Sequence, residues 1–561
     1  MMNKNQMPLS EYPRPQLKRD SYLCLNGEWE CAIRDRKDIP PVFDEKIIVP
    51  FSPETELSGL NKMVKPEDWL FYRKQFSLEK SFIKDKVLLH FTAVDQIAEV
   101  YFNGQFIGKH IGGYLPFEFD VKQYLQETNE LIVVVKDYSD TSYYSRGKQR
   151  IKRGGIWYTP QSGIYMPVWI ESVSKDYIQD IRIIPNLDKS EVSINVISNA
   201  SRATIKIQNK KYEIRTNKFT SFKVDKPHPW SPEDPHLYNL EISTNSDTVH
   251  SYFAMRKVSL MMHNGHKVIA LNNKPYFMKG VLDQGYYSDG LYTPKDYSEY
   301  EKDLKLIKDL GFNTVRKHIK IEAPIWYYMC DKMGLLVWQD FVNGGENYKF
   351  STIAFPLITN IHHKDKWHSK FSRSDEEGRK QAIQEFKDTI NYLYNHPSIV
   401  LWTIFNEGWG QFDSKDIYEE LRKIDETRLF DHASGWHDQG VSDVKSMHVY
   451  FKKVEMPKPK NVKGRAVILS EFGGLVLPIE GHNRKGKKTY KSFKNKDEWL
   501  KSYKEMIERD VINNISKGLT ASIYTQLSDV EDECNGFVTF DREIIKVDPK
   551  LIKEINDKIS F

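Results

Sequence analysis

Residues 399–407 read IVLWTIFNE and residues 466–474 read AVILSEFGG. Each is an apolar run that closes on a glutamate, Glu407 in the first and Glu471 in the second. A strand with one wet face alternates apolar and polar residues, whereas a strand covered on both faces reads as a continuous apolar run. The two runs therefore point to a parallel sheet buried under helices. Six further segments complete the set: YFMKGVLD (276–283), TVRKHIK (314–320), LLVWQDF (335–341), LFDHASGW (429–436), KSMHVY (445–450) and ASIYTQLSD (521–529). Helical segments separate most of them. SEYEKDLKLIKDLG (298–311) places Leu304, Ile307 and Leu310 on one face and stops at Gly311, and SDEEGRKQAIQEFKDTINYLYN (374–395) is a second good helix. Eight β/α units in about 300 residues predict a (β/α)8 TIM barrel, here over 259–561. An open doubly wound sheet is the alternative, and this chain lacks the Gly-rich first turn of that fold.

Upstream of residue 260 the sequence changes character. KVLLHFTAVDQIAEVYFNG (86–104), NELIVVVKDYS (129–139) and MPVWIESVS (166–174) are short β-rich runs broken by turn residues. Asn103-Gly104 between VYF and QFIG is a hairpin signal. Residues 1–175 are predicted as an all-β jelly-roll sandwich. SEVSINVISN, RATIKIQNKKYEIRT and HLYNLEISTN alternate at period two, and 176–258 has the length of an immunoglobulin-like sandwich. Pro227, Pro229, Pro232 and Pro235 make 227–235 a connector, because proline cannot donate to a ladder.

Composition narrows the function. The chain has 561 residues and a net charge of +5, too little to argue for nucleic acid. No apolar stretch approaches the length of a membrane span, about 18 residues. The first 16 residues hold no apolar signal region, so the expected location is the cytoplasm. Cys24, Cys31, Cys330 and Cys534 are too few for a disulfide scaffold and are expected as buried thiols. Aromatic residues make up 13% of the chain, which suits β modules or surfaces that stack on sugar rings.

In a barrel the strand C-termini carry the chemistry. Strands four and seven end on Glu407 and Glu471, three positions apart around the ring, so their ends project across the mouth. Two carboxylates so placed suit glycoside hydrolysis, one as proton donor and the other as nucleophile or base. The bland alternative is that each pairs with an arginine. Other strand ends supply candidate contacts. Tyr450 is placed to donate to Glu471, and His448 shares its face by strand alternation. Arg316 and His318 share a face on the second strand. Asp283 and Asp340 end the first and third strands and are candidates for sugar hydroxyls. Trp409, Trp436 and Tyr524 are candidates to stack on a pyranose, or are rim aromatics. Insertions at 342–373, 451–465 and 475–497 are long enough to be lids or substrate walls.

The chain resembles glycoside hydrolase family 2, the family of β-galactosidases, β-glucuronidases and β-mannosidases. The likeness runs through LNGEWE (25–30), WLFYRKQF (69–76), VDQIAEVYFNGQFIGKHIGGYLPFEFDV (94–121), SGIYMPVWIE (162–171), HPWSPEDPHLYNLEI (228–242), NEGW (406–409) and SEFGG (470–474). It implies that Glu407 is the acid/base and Glu471 the nucleophile of a retaining reaction, with the Asn406 amide anchoring the sugar 2-hydroxyl. It implies a carbohydrate substrate, with no nucleic-acid or membrane partner, and leaves a homo-oligomer open. A β-galactoside is the first expectation, followed by a β-glucuronide, a β-mannoside or an arabinoside; a non-catalytic carbohydrate-binding protein is the rival class.

Two departures bear on the sugar. Many β-galactosidases of the family read Asn-Arg-His-Glu after the first strand, and here the stretch is Leu282-Asp283-Gln284-Gly285. β-Glucuronidases carry Asn-x-Lys after the last strand, and CNGFVTFDR (534–542) has no such lysine. Asn483-Arg484-Lys485 has the spacing but falls in the insertion after strand seven and is read as part of a lysine-rich loop. No cofactor or metal is expected. Some family members use Mg2+ or Na+, but His362, His363 and His368 sit in a loop that offers no fixed ligand set.

Overall fold

The computed structural model describes residues 7–208, 210–357, 359, 362–482 and 491–561. Asn483-Arg484-Lys485 lies outside them. The N-terminal unit is a sandwich of two antiparallel sheets. One orders Glu45–Val49, Gly27–Arg34, Trp69–Phe76, Asn129–Lys136, Ile97–Phe102 and Gln105–Ile111 side by side. The other orders Leu23–Cys24, Val168–Val173, Lys86–Phe91 and Phe117–Asp120. Trp29, Tyr72, Phe91, Val133 and Ile170 fill the space between them. At the predicted hairpin Phe102 pairs with Gln105, and Asn103 (φ 48°) and Gly104 (φ 77°) both take the left-handed conformation that a two-residue turn of matching twist requires.

The second unit packs Ile178–Asn186, Glu191–Ser198 and Thr220–Lys223 against a sheet of Lys210–Arg215, Arg202–Ile207, Tyr238–Ser243 and Thr248–Phe253. Burial along Glu191–Ser198 alternates residue by residue, as the period-two pattern predicts. The four cysteines are free and buried.

The third unit is the barrel. Its strands are β1 (Met278–Asp283), β2 (Thr314–Lys317), β3 (Leu336–Asp340), β4 (Ile399–Thr403), β5 (Leu429–Asp431), β6 (Val444–Val449), β7 (Ala466–Gly473) and β8 (Leu519–Thr525). They form one parallel sheet ordered β5-β4-β3-β2-β1-β8-β7-β6. The outer helices are α1 (Ser298–Asp309), α2 (Pro324–Met333), α3 (Glu376–Leu393), α4 (Ser414–Ile424), α5 (Lys496–Met506) and α6 (Pro549–Asn556). The β5–β6 seam carries no regular ladder. One backbone bond, Asp443 N to Phe430 O at 3.2 Å, crosses it, and side chains add to it: the Asp443 carboxylate accepts from Phe430 N at 2.9 Å, and Ser446 Oγ donates toward Asp431 Oδ1 and Ala433 O, both at 3.1 Å.

Two strands are shorter than the sequence suggests. β4 stops at Thr403 and β5 at Asp431, although the apolar runs continue. Beyond them the chains stay in touch through a bridge between Asn406 and Ser434, and Glu407 then turns with φ 51°. A hairpin that was not foreseen, Val258–His263 with His266–Leu271, plugs the lower end of the barrel. Val258, Ile269 and Leu271 pack there with Met278, Leu336, Trp338 and Ile468. Between the sandwich strands Asn129–Lys136 and Gly163–Ile164, residues 137–162 leave the sandwich and cross to the barrel mouth.

Candidate active site

β7 carries Glu471 into the mouth, where it is 5% exposed. Arg316 Nη1 donates to its Oε1 at 3.0 Å and the Tyr450 hydroxyl to its Oε2 at 2.6 Å. Glu407 enters from the β4 side, 8% exposed, with its Oε1 2.8 Å from His448 Nδ1. The other ring nitrogen of His448 lies 2.9 Å from Ser434 Oγ and 3.7 Å from Glu471 Oε1. His448 thus stands between the two acids. Glu407 and Glu471 each bring an oxygen within 4.8 Å of the other.

Similar burial gives the two carboxyls opposite characters. Burial pushes Glu407 up from the ordinary carboxylate range, and the Glu471 charge adds to this, against the hydrogen bond from His448. Burial also opposes ionisation of Glu471, but the neighbouring His448 and Arg316 and the Tyr450 hydrogen bond outweigh it and bring its pKa down to about 2. One group is biased toward the protonated acid and the other is held as the carboxylate.

Arg316, fully buried, organises this floor. Its Nε donates to Asp340 at 3.0 Å, Nη1 to Ser470 O and Glu471 at 3.0 Å each, and Nη2 to Asn406 Oδ1 at 2.8 Å. With its Oδ1 occupied, the Asn406 amide is fixed, and its buried Nδ2 has no hydrogen-bond partner among the described residues. His318 Nδ1 lies 2.7 Å from Asp340 Oδ2, and burial pushes its pKa well below the usual value. The Asp340 carboxylate thus orients the ring from Nδ1 and leaves Nε2 free of it.

Other expected contacts are arranged differently. Asp340 is engaged by Arg316 and His318, whose side chains it holds in place. Asp283 does not face the mouth. Its carboxylate takes Lys317 Nζ at 2.6 Å and Gly285 N at 2.8 Å, outside the barrel wall. Strand alternation is the reason: Arg316 and His318 point in, so Lys317 between them points out and draws Asp283 with it. Tyr524 also points outward, packed against Phe472, Tyr503 and Phe537, while its neighbour Thr525 faces in and meets the Tyr450 hydroxyl at 3.0 Å. Trp409 and Trp436 do line the mouth, each with its ring centroid 6.2 Å from a site histidine, His318 and His448 respectively. In the loop after β3, His362 and His363 pack on His437, and His368 Nε2 pairs with Asp413 at 2.8 Å.

The segment 137–162 completes the wall. Arg146 N and Gly147 N donate to Asn343 O at 2.9 and 3.1 Å, and the Arg146 guanidinium donates to Gly345 O. Gly344 permits the approach, since a Cβ there would collide with the Tyr144 carbonyl. The crossing brings Lys148, Trp157 and Tyr158 to the mouth. Trp157 lies 5.1 Å from Trp409 between ring centroids, and the Tyr158 hydroxyl donates to Glu533, a buried carboxyl in the loop after β8. None of these four residues was singled out from the sequence. The available signal was a run of 26 residues without periodicity, rich in basic and aromatic side chains, between two strands of one sandwich.

Compared with known families, residues 263–558 match the glycosyl hydrolases family 2 TIM barrel domain, residues 59–170 the sugar binding domain of that family, and residues 176–256 its remaining domain. The chain belongs to glycosyl hydrolase family 2. Within the family it is 27% identical over 507 residues to a β-galactosidase of Thermoanaerobacter pseudethanolicus, an alignment covering 82% of this chain and 62% of the relative. It is 25% identical over 433 residues to a putative β-glucuronidase of Formosa agariphila, covering 72% and 46%. The chain thus spans less than two thirds of the length of these relatives. Among solved structures, the β-D-glucuronidase of Dictyoglomus thermophilum shares the fold with a TM-score of 0.75 at 20% identity, over 98% of this chain and 99% of that one. A family 2 β-galacturonidase of Eisenbergiella tayi bound to galacturonate does so at 0.72 and 19%, over 98% and 100%.

Proposed function

We propose that the chain is a retaining exo-β-glycosidase that works by double displacement. The approach of Glu407 and Glu471 carries the reading: oxygens within 4.8 Å fit the separation of about 5–5.5 Å that retaining enzymes use, whereas inverting enzymes leave about 6.5–9.5 Å for a water. In the first step a Glu471 oxygen attacks the anomeric carbon. The glycosidic C–O bond breaks, and the leaving oxygen takes the proton of Glu407. In the second, Glu407 removes a proton from water, the water oxygen attacks the same carbon, and the Glu471 ester is released. The unpartnered Asn406 Nδ2 is a ready donor for the 2-hydroxyl, a contact that strengthens as the oxocarbenium character develops. Walls built from the segment 137–162 and from the loops after β3 and β8 favour removal of one terminal sugar over cleavage within a chain.

The β-galactosidase name of the Thermoanaerobacter relative supports the galactoside expected from the sequence. The cation in the pocket wall, Lys148, supports an acidic sugar instead. Turnover of a panel of nitrophenyl α- and β-glycosides, neutral and uronic, separates these. Proton NMR of the first-formed product tests the mechanism: the β-anomer is expected, and the α-anomer would overturn retention. Turnover of no member of the panel would favour a carbohydrate-binding role.

A further inference from the structure

Lys148 is the cation that the catalytic constellation does not use. It is 6% exposed, with Nζ 5.5 Å from the centroid of the Trp409 ring and 5.4 Å from that of Tyr158. Its carbonyl accepts from Tyr158 N at 3.0 Å, but its ammonium makes no hydrogen bond or ion pair with any described residue. Its charge is nevertheless felt throughout the mouth, depressing His318 and acting on Glu407 and Glu533. A buried ammonium without a counter-ion is costly, so its place there calls for a partner that arrives from outside.

The carboxyls already present do not supply that partner. Glu471 and Asp340 are engaged by Arg316. Glu533 accepts the Tyr158 hydroxyl and Glu407 is paired with His448, and among the described residues neither comes within ion-pair distance of the Lys148 ammonium. Two aromatic faces flank the ammonium and exclude water, which strengthens attraction to an anion.

We propose that Lys148, delivered from the N-terminal sandwich, is the residue that selects the sugar, and that its ammonium binds the carboxylate of a β-linked uronic acid. The assignment rests on the reading of the mouth as a glycone pocket. It differs from a grip on the sugar made by the barrel alone, because the specificity residue comes from the neighbouring unit and takes its position from the backbone contacts of 143–147 with 343–345.

Titration calorimetry with D-glucuronate and D-galacturonate against D-glucose and D-galactose tests this without turnover. At least one uronate should bind about tenfold or more tighter than its neutral counterpart, with a preference that shrinks as salt rises. Lys148→Met should erase that preference and change the binding of neutral sugars far less. In kinetics it should lower kcat/KM on the nitrophenyl β-uronide about 100-fold, mainly through KM, and on neutral glycosides by less than about fivefold. The comparison of uronates with hexoses and its salt dependence use the wild-type chain, so they decide the matter even if the variant does not fold. Neutral sugars bound as tightly as uronates, or equal losses on both substrate classes, would overturn the proposal. Uronate binding that depends on Lys148 without turnover of any glycoside would sustain it and retire the glycosidase reading.

Discussion

Glu407 and Glu471 show how one buried mouth makes an acid and a base from the same side chain. Desolvation raises both, and the sign of the result is decided by what surrounds each: Glu471 has Arg316 and Tyr450, while Glu407 has the Glu471 charge. Turnover needs Glu471 ionised and Glu407 protonated. Activity is therefore present above the depressed value near 2 of Glu471 and declines as pH rises through the raised value of Glu407. Tyr450→Phe removes a donor to the charged form of Glu471, so its pKa rises and the acid limb of kcat/KM moves toward neutral pH. A hydrogen bond to a charged group is worth about 1.5–3 kcal/mol, so the rate should fall roughly tenfold to a hundredfold. An unmoved acid limb would show that the hydroxyl does not hold the charge. Glu407→Ala should slow glycosides with poor leaving groups by about 10²–10⁴-fold and activated ones far less in their first step. Azide, which needs no base to attack the glycosyl-enzyme, should restore activated substrates; no rescue and equal slowing would remove Glu407 from the role. At this scale the sequence is readable where strand parity is. His448 and Tyr450, and Arg316 and His318, meet Glu471 because alternate residues of a strand face inward, while Asn406 and Glu407 reach the same mouth beyond the end of β4, where Glu407 turns with φ 51°. Asp283 and Tyr524 do not join them, because a single step along a strand turns a side chain to the helices.

Among elements, the barrel strands were legible and the segment 137–162 was not. Apolar runs announce a buried strand wherever it lies, but this segment has no period, and its structure is imposed by what it touches. Asn343, Gly345 and Glu346 receive its backbone and the Arg146 guanidinium, and Glu385 of α3 receives the Ser145 hydroxyl. Arg146 is 4% exposed, so Arg146→Ala leaves the buried Gly345 carbonyl without its donor. A loss of about 1–3 kcal/mol of stability follows from that desolvation alone. Because Lys148 and Trp157 are carried by the same segment, KM should rise as well, with the nucleophile pKa unchanged. Steady-state kinetics with a thermal melt measures both; a lower melting temperature with unaltered KM would mean that the segment is scaffold only. The β5–β6 seam teaches the same point. Ser446 and Asp443 help close the ring through side chains, which no strand pattern in either run foretells.

At the scale of the molecule, the composition break near residue 260 was visible because sandwiches and barrels write different periods, but nothing in either period says how they are joined. Between the two sandwiches the junction carries a buried ionic cluster. Glu171 of the N-terminal sandwich, with its side chain fully buried, meets Arg14 Nη2 at 2.5 Å and Arg19 Nη1 at 3.3 Å, and Arg19 Nη2 reaches Asp247 of the second sandwich at 3.0 Å. Burial opposes the Glu171 charge, but Arg14, His90 and Arg19 outweigh it and hold the carboxyl well below its usual range. A depressed carboxylate contributes stability that is present above its unfolded value, about 4.3, and that is lost as pH falls toward the folded one. Glu171→Gln leaves Arg14 without its carboxylate and Arg19 with Asp247 alone. Breaking a buried pair on one side costs about 3–5 kcal/mol, with the lower end expected because Arg14 remains a quarter exposed. Urea unfolding should therefore show the variant markedly weaker at pH 7. The gap should narrow by pH 3.5, where Glu171 of the unfolded wild-type chain takes up a proton that favours unfolding, while the amide does not titrate. A gap of the same size at both pH values would mean that shape, and not the charge of Glu171, joins the two sandwiches.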